Sequence, residues 1–116
     1  MSILNKKKNP GIVNIKATDA FDKLIFEGGV RAKQVLTEKK LNLLIVLLNN
    51  GVLLKLSLNT YPRLKKASQQ QLNNWELTSN GIGIRWEELD EDLSVKGMIQ
   101  ESLLSQLQLK TKQEIM

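Results

Sequence analysis

The densest chemistry in the sequence is Glu87, Glu88, Asp90, Glu91 and Asp92, five carboxylates within six positions. Carboxylates at this density can ligate magnesium or calcium through oxygen, or work in pairs as acid and base. The spacing argues against both. A calcium loop of the helix-loop-helix type alternates its ligands about a central glycine and ends on a glutamate. Here Leu89 and Leu93 interrupt the run, and no glycine or terminal glutamate completes it. Glu76 is the only other acid nearby, so no second carboxylate group is placed to face the first. The simplest role is a solvated loop whose charge favours the positive N-terminus of a following helix. No catalytic, cofactor-binding or metal-ligating residue is expected.

Other constellations are weaker. Gly81-Ile82-Gly83-Ile84 lacks the third glycine of a dinucleotide fingerprint and the Gly-Lys-Ser/Thr of a P-loop. It reads as a turn and a close backbone approach. The chain has no His and no Cys, which excludes zinc fingers, His-dependent triads, thiolate nucleophiles and disulfides. Aromatic residues make up only 4% of the chain, and Arg85-Trp86 alone resembles a base-stacking pair. A core or half-buried tryptophan is the better reading. Arg63-Leu64-Lys65-Lys66 reads as a solvated basic face.

The 116 residues carry 17 basic and 12 acidic side chains, a net charge of +5, and are 41% apolar. More than half of the excess lies at the two ends. Lys6, Lys7 and Lys8, ahead of Asn9-Pro10-Gly11, form a basic arm that could touch phosphates weakly and without sequence preference. Solubility alone also accounts for them. No apolar run is long enough to span a membrane and no signal-type segment follows the lysines, so the expected location is cytoplasmic.

The elements that position these residues follow from local pattern. Ile12–Ile15 and Phe21–Phe26 read as short strand-like segments joined at Thr18-Asp19, although the second could begin as a helical turn. Leu41–Leu48 and Val52–Leu58 flank Asn49-Asn50-Gly51 as a β-hairpin, its Asn-Gly supplying positive φ angles. Tyr61-Pro62 opens a helical turn, with proline at the helix start. Ser68 and Gln71 form a capping box for a two-turn helix, Gln69 to Trp75, with Leu64, Leu72 and Trp75 buried. Ile82, Ile84 and Trp86 alternate as a strand. Ser94 caps the last helix, where Val95, Ile99, Leu103 and Leu107, with Met98 beside them, form an apolar stripe. Beyond Leu109 nothing anchors the tail. The expected fold is α+β, with an antiparallel sheet of about four or five strands and two or three short helices on one face. Residues 1–28 form an extension (a basic arm with room for one or two added strands), 29–109 a single domain, and 110–116 a frayed tail.

From Arg31 onward the order of these parts resembles the small bacterial domain-of-unknown-function family numbered 2442. The matching parts are the hairpin, Tyr61-Pro62-Arg63-Leu64, Ala67-Ser68, Asn74-Trp75-Glu76-Leu77 and Gly81 to Trp86. Leu89-Asp90-Glu91-Asp92-Leu93-Ser94-Val95 and Gly97 close the match, which covers about residues 31–105. The run from Trp86 to Gly97 is the most specific part. The resemblance implies a compact α+β domain. It also implies a gene next to a second small reading frame, as in a toxin–antitoxin pair of which this chain would be the partner-binding member. It carries no catalytic residue. The expectation is therefore a non-enzymatic interaction module whose partner is another small protein encoded nearby. Self-association and weak nucleic-acid binding remain open. Five acids exceed what one helix N-terminus can use, so Arg85, Trp86, Glu88, Asp90, Glu91 and Asp92 are the candidate partner-binding residues. Lys6, Lys7 and Lys8 are the candidate nucleic-acid contacts.

Overall fold

A computed structural model describes the backbone of residues 19–115 and the side chains of residues 19–108. The basic arm, with Lys6, Lys7 and Lys8, and the Ile12–Ile15 segment lie outside the described residues. The element order is α1 (Ala20–Phe26), β1 (Ala32–Glu38), β2 (Leu43–Leu48), β3 (Leu53–Ser57), α2 (Pro62–Lys66), α3 (Gln69–Leu72), β4 (Glu76–Thr78), β5 (Gly83–Trp86), β6 (Glu91–Ser94) and α4 (Val95–Ile115). The fold is α+β. The strands form two antiparallel three-stranded sheets, β1-β2-β3 and β4-β5-β6, rather than one sheet of four or five. The break follows from the chain's path. After β3 a single 3-10 turn, α2 and α3 carry it away, and α4 packs against β3, so β4 starts a second sheet.

The hairpin of β2 and β3 forms as its sequence demands, with Leu44 paired to Leu56 and Val46 to Leu54. Its loop has three residues. The Gly51 N–H donates to Leu48 O at 3.0 Å, and Gly51 takes the left-handed conformation at φ +89. This is a tight turn closed by a glycine bulge, so glycine alone supplies the positive φ expected of the Asn-Gly pair. Phe21–Phe26 is helix, not strand. Asp19 caps it, accepting from the N–H of Phe21 at 2.8 Å and of Asp22 at 3.3 Å. Phe21, Leu24 and Ile25 stand at helical spacing, and Ile25 enters the core.

The Ser68–Gln71 capping box is present, as is Pro62 at the first turn of α2. However, α3 is one turn, ending on Asn73 rather than running to Trp75, because the chain must extend into β4. Leu64 and Leu72 are fully buried, and Trp75 packs partly buried against the core. Ser94 caps α4 by accepting the Gly97 N–H at 3.0 Å. The expected apolar stripe of α4 holds over its first turns only. Val95 and Met98 are buried and Ile99 packs partly buried against the core, but Ser102 takes the next buried position while Leu103 and Leu107 are about half exposed. A four-residue step overshoots the 3.6-residue turn, so successive positions drift off the core-facing side. The helix runs past Leu109 to Ile115. No helix among the described residues is long and apolar enough to cross a membrane.

The core joins the inner face of the first sheet (Val35, Leu44, Val46, Leu48, Leu54, Leu56) to Ile84, Trp86 and Leu93 of the second. Gly81 sets how closely the two approach. At φ +92, a Cβ there would lie 2.8 Å from the Ala32 carbonyl oxygen. Only glycine tolerates both the conformation and the contact.

Candidate functional site

The acidic run does not form one loop. Glu87–Leu89 make a single 3-10 turn, and Asp90 stands left-handed at φ 51. Glu91 and Asp92 then lie on β6, paired with Trp86 and Arg85 of β5. A whole strand therefore separates most of the acids from the α4 N-terminus, and Ser94 does the capping instead. This corrects the reading of the run as a helix-capping loop.

Arg85 organises the acids. Its Nε donates to Glu87 Oε1 at 2.6 Å, its Nη1 to Asp92 Oδ2, and its Nη2 to Asp90 Oδ1 at 3.4 Å. Hydrogen bonding to Glu87, with the charge of Asp92, raises the guanidinium pKa still further, so it stays charged at any working pH. Arg63 joins from α2. Its Nη1 donates to the Asp90 carbonyl oxygen at 2.5 Å and lies 3.7 Å from Glu91 Oε1. Glu88 accepts from the Gln71 side chain at 2.9 Å, tying the turn to α3. The result is a ridge of five carboxylates, four of them paired with two guanidiniums and Glu88 with Gln71, an excess of three negative charges. Among the described residues no group of three acids is arranged to hold a metal ion, and the Arg85 guanidinium occupies the centre such an ion would need.

Five of the six expected partner-binding residues are thus brought together: Arg85, Glu88, Asp90, Glu91 and Asp92. Trp86 is not among them. Its side chain is 0% exposed, and its indole N–H donates to Leu72 O at 2.9 Å. Strand alternation decides this. In β5 Ile84 and Trp86 face the core while Arg85 faces out. The anchor expected at the surface is a core residue, and its neighbour carries the surface chemistry.

Two participants were missed. Arg63 reads in sequence as part of a solvated basic face, because its partners lie 27 and 28 positions away. Tyr61 lines a cavity of about 250 Å³ beside the ridge, with Asp92, Ser94, Gly97, Met98 and Glu101. Burial, then the charges of Glu101 and Glu91, push its phenol up to about 12. No sequence signal pairs Tyr61 with these acids, because α4 brings Glu101 there only on folding.

A crystal structure of a protein of unknown function from Rhodospirillum rubrum is similar to this chain. It has 32% identity and a TM-score of 0.55, covering 61% of this chain and 86% of the other. The solution structure of an uncharacterized protein from Chromobacterium violaceum shares the fold, with 20% identity and a TM-score of 0.59, covering 79% and 87% of the two chains. No curated protein matches. The family model described as Protein of unknown function, DUF2442, matches residues 33–102, more than half of the sequence, and the chain belongs to that family.

Proposed function

We propose that this domain is a non-enzymatic interaction module acting in the cytoplasm, the antitoxin-like member of a pair whose partner is a small basic protein encoded nearby. The observation that supports it is the ridge: an excess of three negative charges held in fixed geometry on a chain whose net charge is +5. Such a patch steers a basic partner toward one face and orients it before contact. Because Arg85 and Arg63 already hold the carboxylates in place, little side-chain freedom remains to be lost on docking. A partner that handles nucleic acid carries the complementary charge.

Each residue has a defined part. Asp90, Glu87 and Asp92, with side chains 82%, 76% and 63% exposed, present the charge. Glu91, only 18% exposed, is held against Arg63 and supports the turn. The test is co-expression with the product of the adjacent reading frame, followed by purification at low salt. The expected result is a stoichiometric complex. Free passage of both chains, each folded, would refute the reading.

A further inference from the structure

The outer face of the β1-β2-β3 sheet is apolar and open. In register, Leu36, Ile45 and Lys55 form one row, Gln34, Leu47 and Leu53 the next, and Glu38, Leu43 and Ser57 the third. Leu36 and Leu53 are 61% and 62% exposed. Five of these nine side chains are Leu or Ile, a contiguous patch of the kind monomers rarely leave in water. Along the β3 side rises a wall formed by α4. Ser102, Ser105 and Gln106 share with Leu43, Lys55, Leu56 and Ser57 a cavity of about 470 Å³, a channel between α4 and the β3 margin of the face.

We propose that this channel docks a second copy of the same chain, the two sheets packing face to face about a two-fold axis that runs along β2. The surface is separate from the ridge, and the proposal stands independently of the ridge's function. Charge selects both the occupant and the axis. Glu38 on β1 and Lys55 on β3 sit at opposite margins of the face, and neither has an ion-pair partner among the described residues. A two-fold along β2 lays β1 of one copy over β3 of the other, so each Leu36 covers the partner's Lys55 stem. Each Lys55 ammonium then lies one row, roughly 7 Å, from the partner's Glu38, within reach of its long side chain. The alternative axis, across the strands, would stack Lys55 on its own copy and is excluded by like charge.

The area suffices. Three strands spaced ~4.8 Å and three rows spaced ~6.8 Å give a sheet footprint of roughly 14 by 20 Å. The α4 wall, ~10 Å across, extends this to roughly 500 Å². Side-chain relief brings the accessible area near the ~800 Å² that each partner of a stable dimer buries. Each β1 margin enters the other copy's channel, and the two α4 walls close the interface at its sides. The pairing is reciprocal, as a closed two-fold requires.

Sedimentation equilibrium of the full chain tests it. The expected mass at micromolar concentration is about twice the 13.1 kDa of one chain. Leu36→Asp should raise the dissociation constant on the order of a hundredfold with an unchanged circular dichroism spectrum. Glu38→Lys and Lys55→Glu should each weaken the dimer on the order of tenfold, and the double swap should restore it. Because these two positions are at the surface, the swap keeps the proposal testable if Leu36→Asp fails to fold. A monomeric wild-type chain at ~100 μM, far above the expected dissociation constant, would overturn the proposal, whether residues 1–18 or another protein covers the face. Failure of the double swap to recover association would overturn it equally.

Discussion

Replacing Trp86 with Phe separates a core tryptophan from a surface anchor. Trp86 and Leu72 are both 0% exposed, and the indole N–H satisfies the Leu72 carbonyl at 2.9 Å. Phenylalanine leaves that carbonyl buried and unpaired, which costs about 1–3 kcal/mol. The smaller ring also leaves a void of roughly 40 Å³, and at about 24 cal/mol per Å³ this adds about 1 kcal/mol. The total is about 2–4 kcal/mol. With a urea m-value of about 1.5 kcal/mol/M, the unfolding midpoint should fall by roughly 1.3–2.7 M. Trp75→Phe is the control. Trp75 only lies partly buried against the core, so its replacement should cost under about 1 kcal/mol. Each variant retains one tryptophan, and its fluorescence follows the transition. A Trp86→Phe shift no larger than that of Trp75→Phe would refute the placement of Trp86 in the core.

Ser68→Ala and Ser94→Ala each remove a cap that accepts a backbone N–H, at 3.1 and 3.0 Å, and should each lose on the order of 1 kcal/mol in urea unfolding. Tyr61 is the only tyrosine in the chain, so ultraviolet titration reads it directly, with a midpoint expected at about 12 in the folded protein. Its raised pKa makes the neutral phenol the stabilised form. The contribution is therefore full below pH ~10 and is lost as pH rises through the folded value. A midpoint near 10 in the folded chain would contradict the burial. Lys96 binds Asp19 at 2.8 Å and Asp22 at 2.9 Å, joining α4 to α1. The hydrogen bond from Lys96 holds Asp19 below the usual carboxylate range, while Asp19 raises Lys96. The α1 contact should therefore persist through neutral pH and loosen as pH falls through the lowered Asp19 value or rises through the raised Lys96 value. Nuclear magnetic resonance shifts of the Ile25 methyls should report this, and Lys96→Met should abolish the alkaline step while leaving an acid step, because Asp19 still accepts from the Phe21 and Asp22 N–H.

Much of the fold was legible because local chemistry decided it. The Asn-Gly hairpin, Pro62 at a helix start, the Ser68–Gln71 box and the Ser94 cap each depend on residues within a few positions. Division into two sheets was not legible, because it depends on where α2 and α3 send the chain and on the approach of Gly81 to Ala32. The place of Trp86 follows from alternation in β5: Ile84 and Trp86 share the inward side, so Arg85 and Trp86 cannot both face a partner. The acidic run was visible as composition. Its guanidinium centre was not, since Arg63 reaches it across 27 residues and Asp92 meets Arg85 only through strand pairing.

The ridge as a steering surface is tested most directly by the salt dependence of association with the adjacent gene's product, measured by stopped flow. Glu87→Gln/Glu88→Gln removes two charges while keeping acceptors for Arg85 and Gln71, so stability should stay within about 0.5 kcal/mol of wild type. The wild-type rate should fall steeply as salt rises, and the variant should start slower and fall less steeply. Equal rates and equal salt slopes for the two proteins would contradict the account.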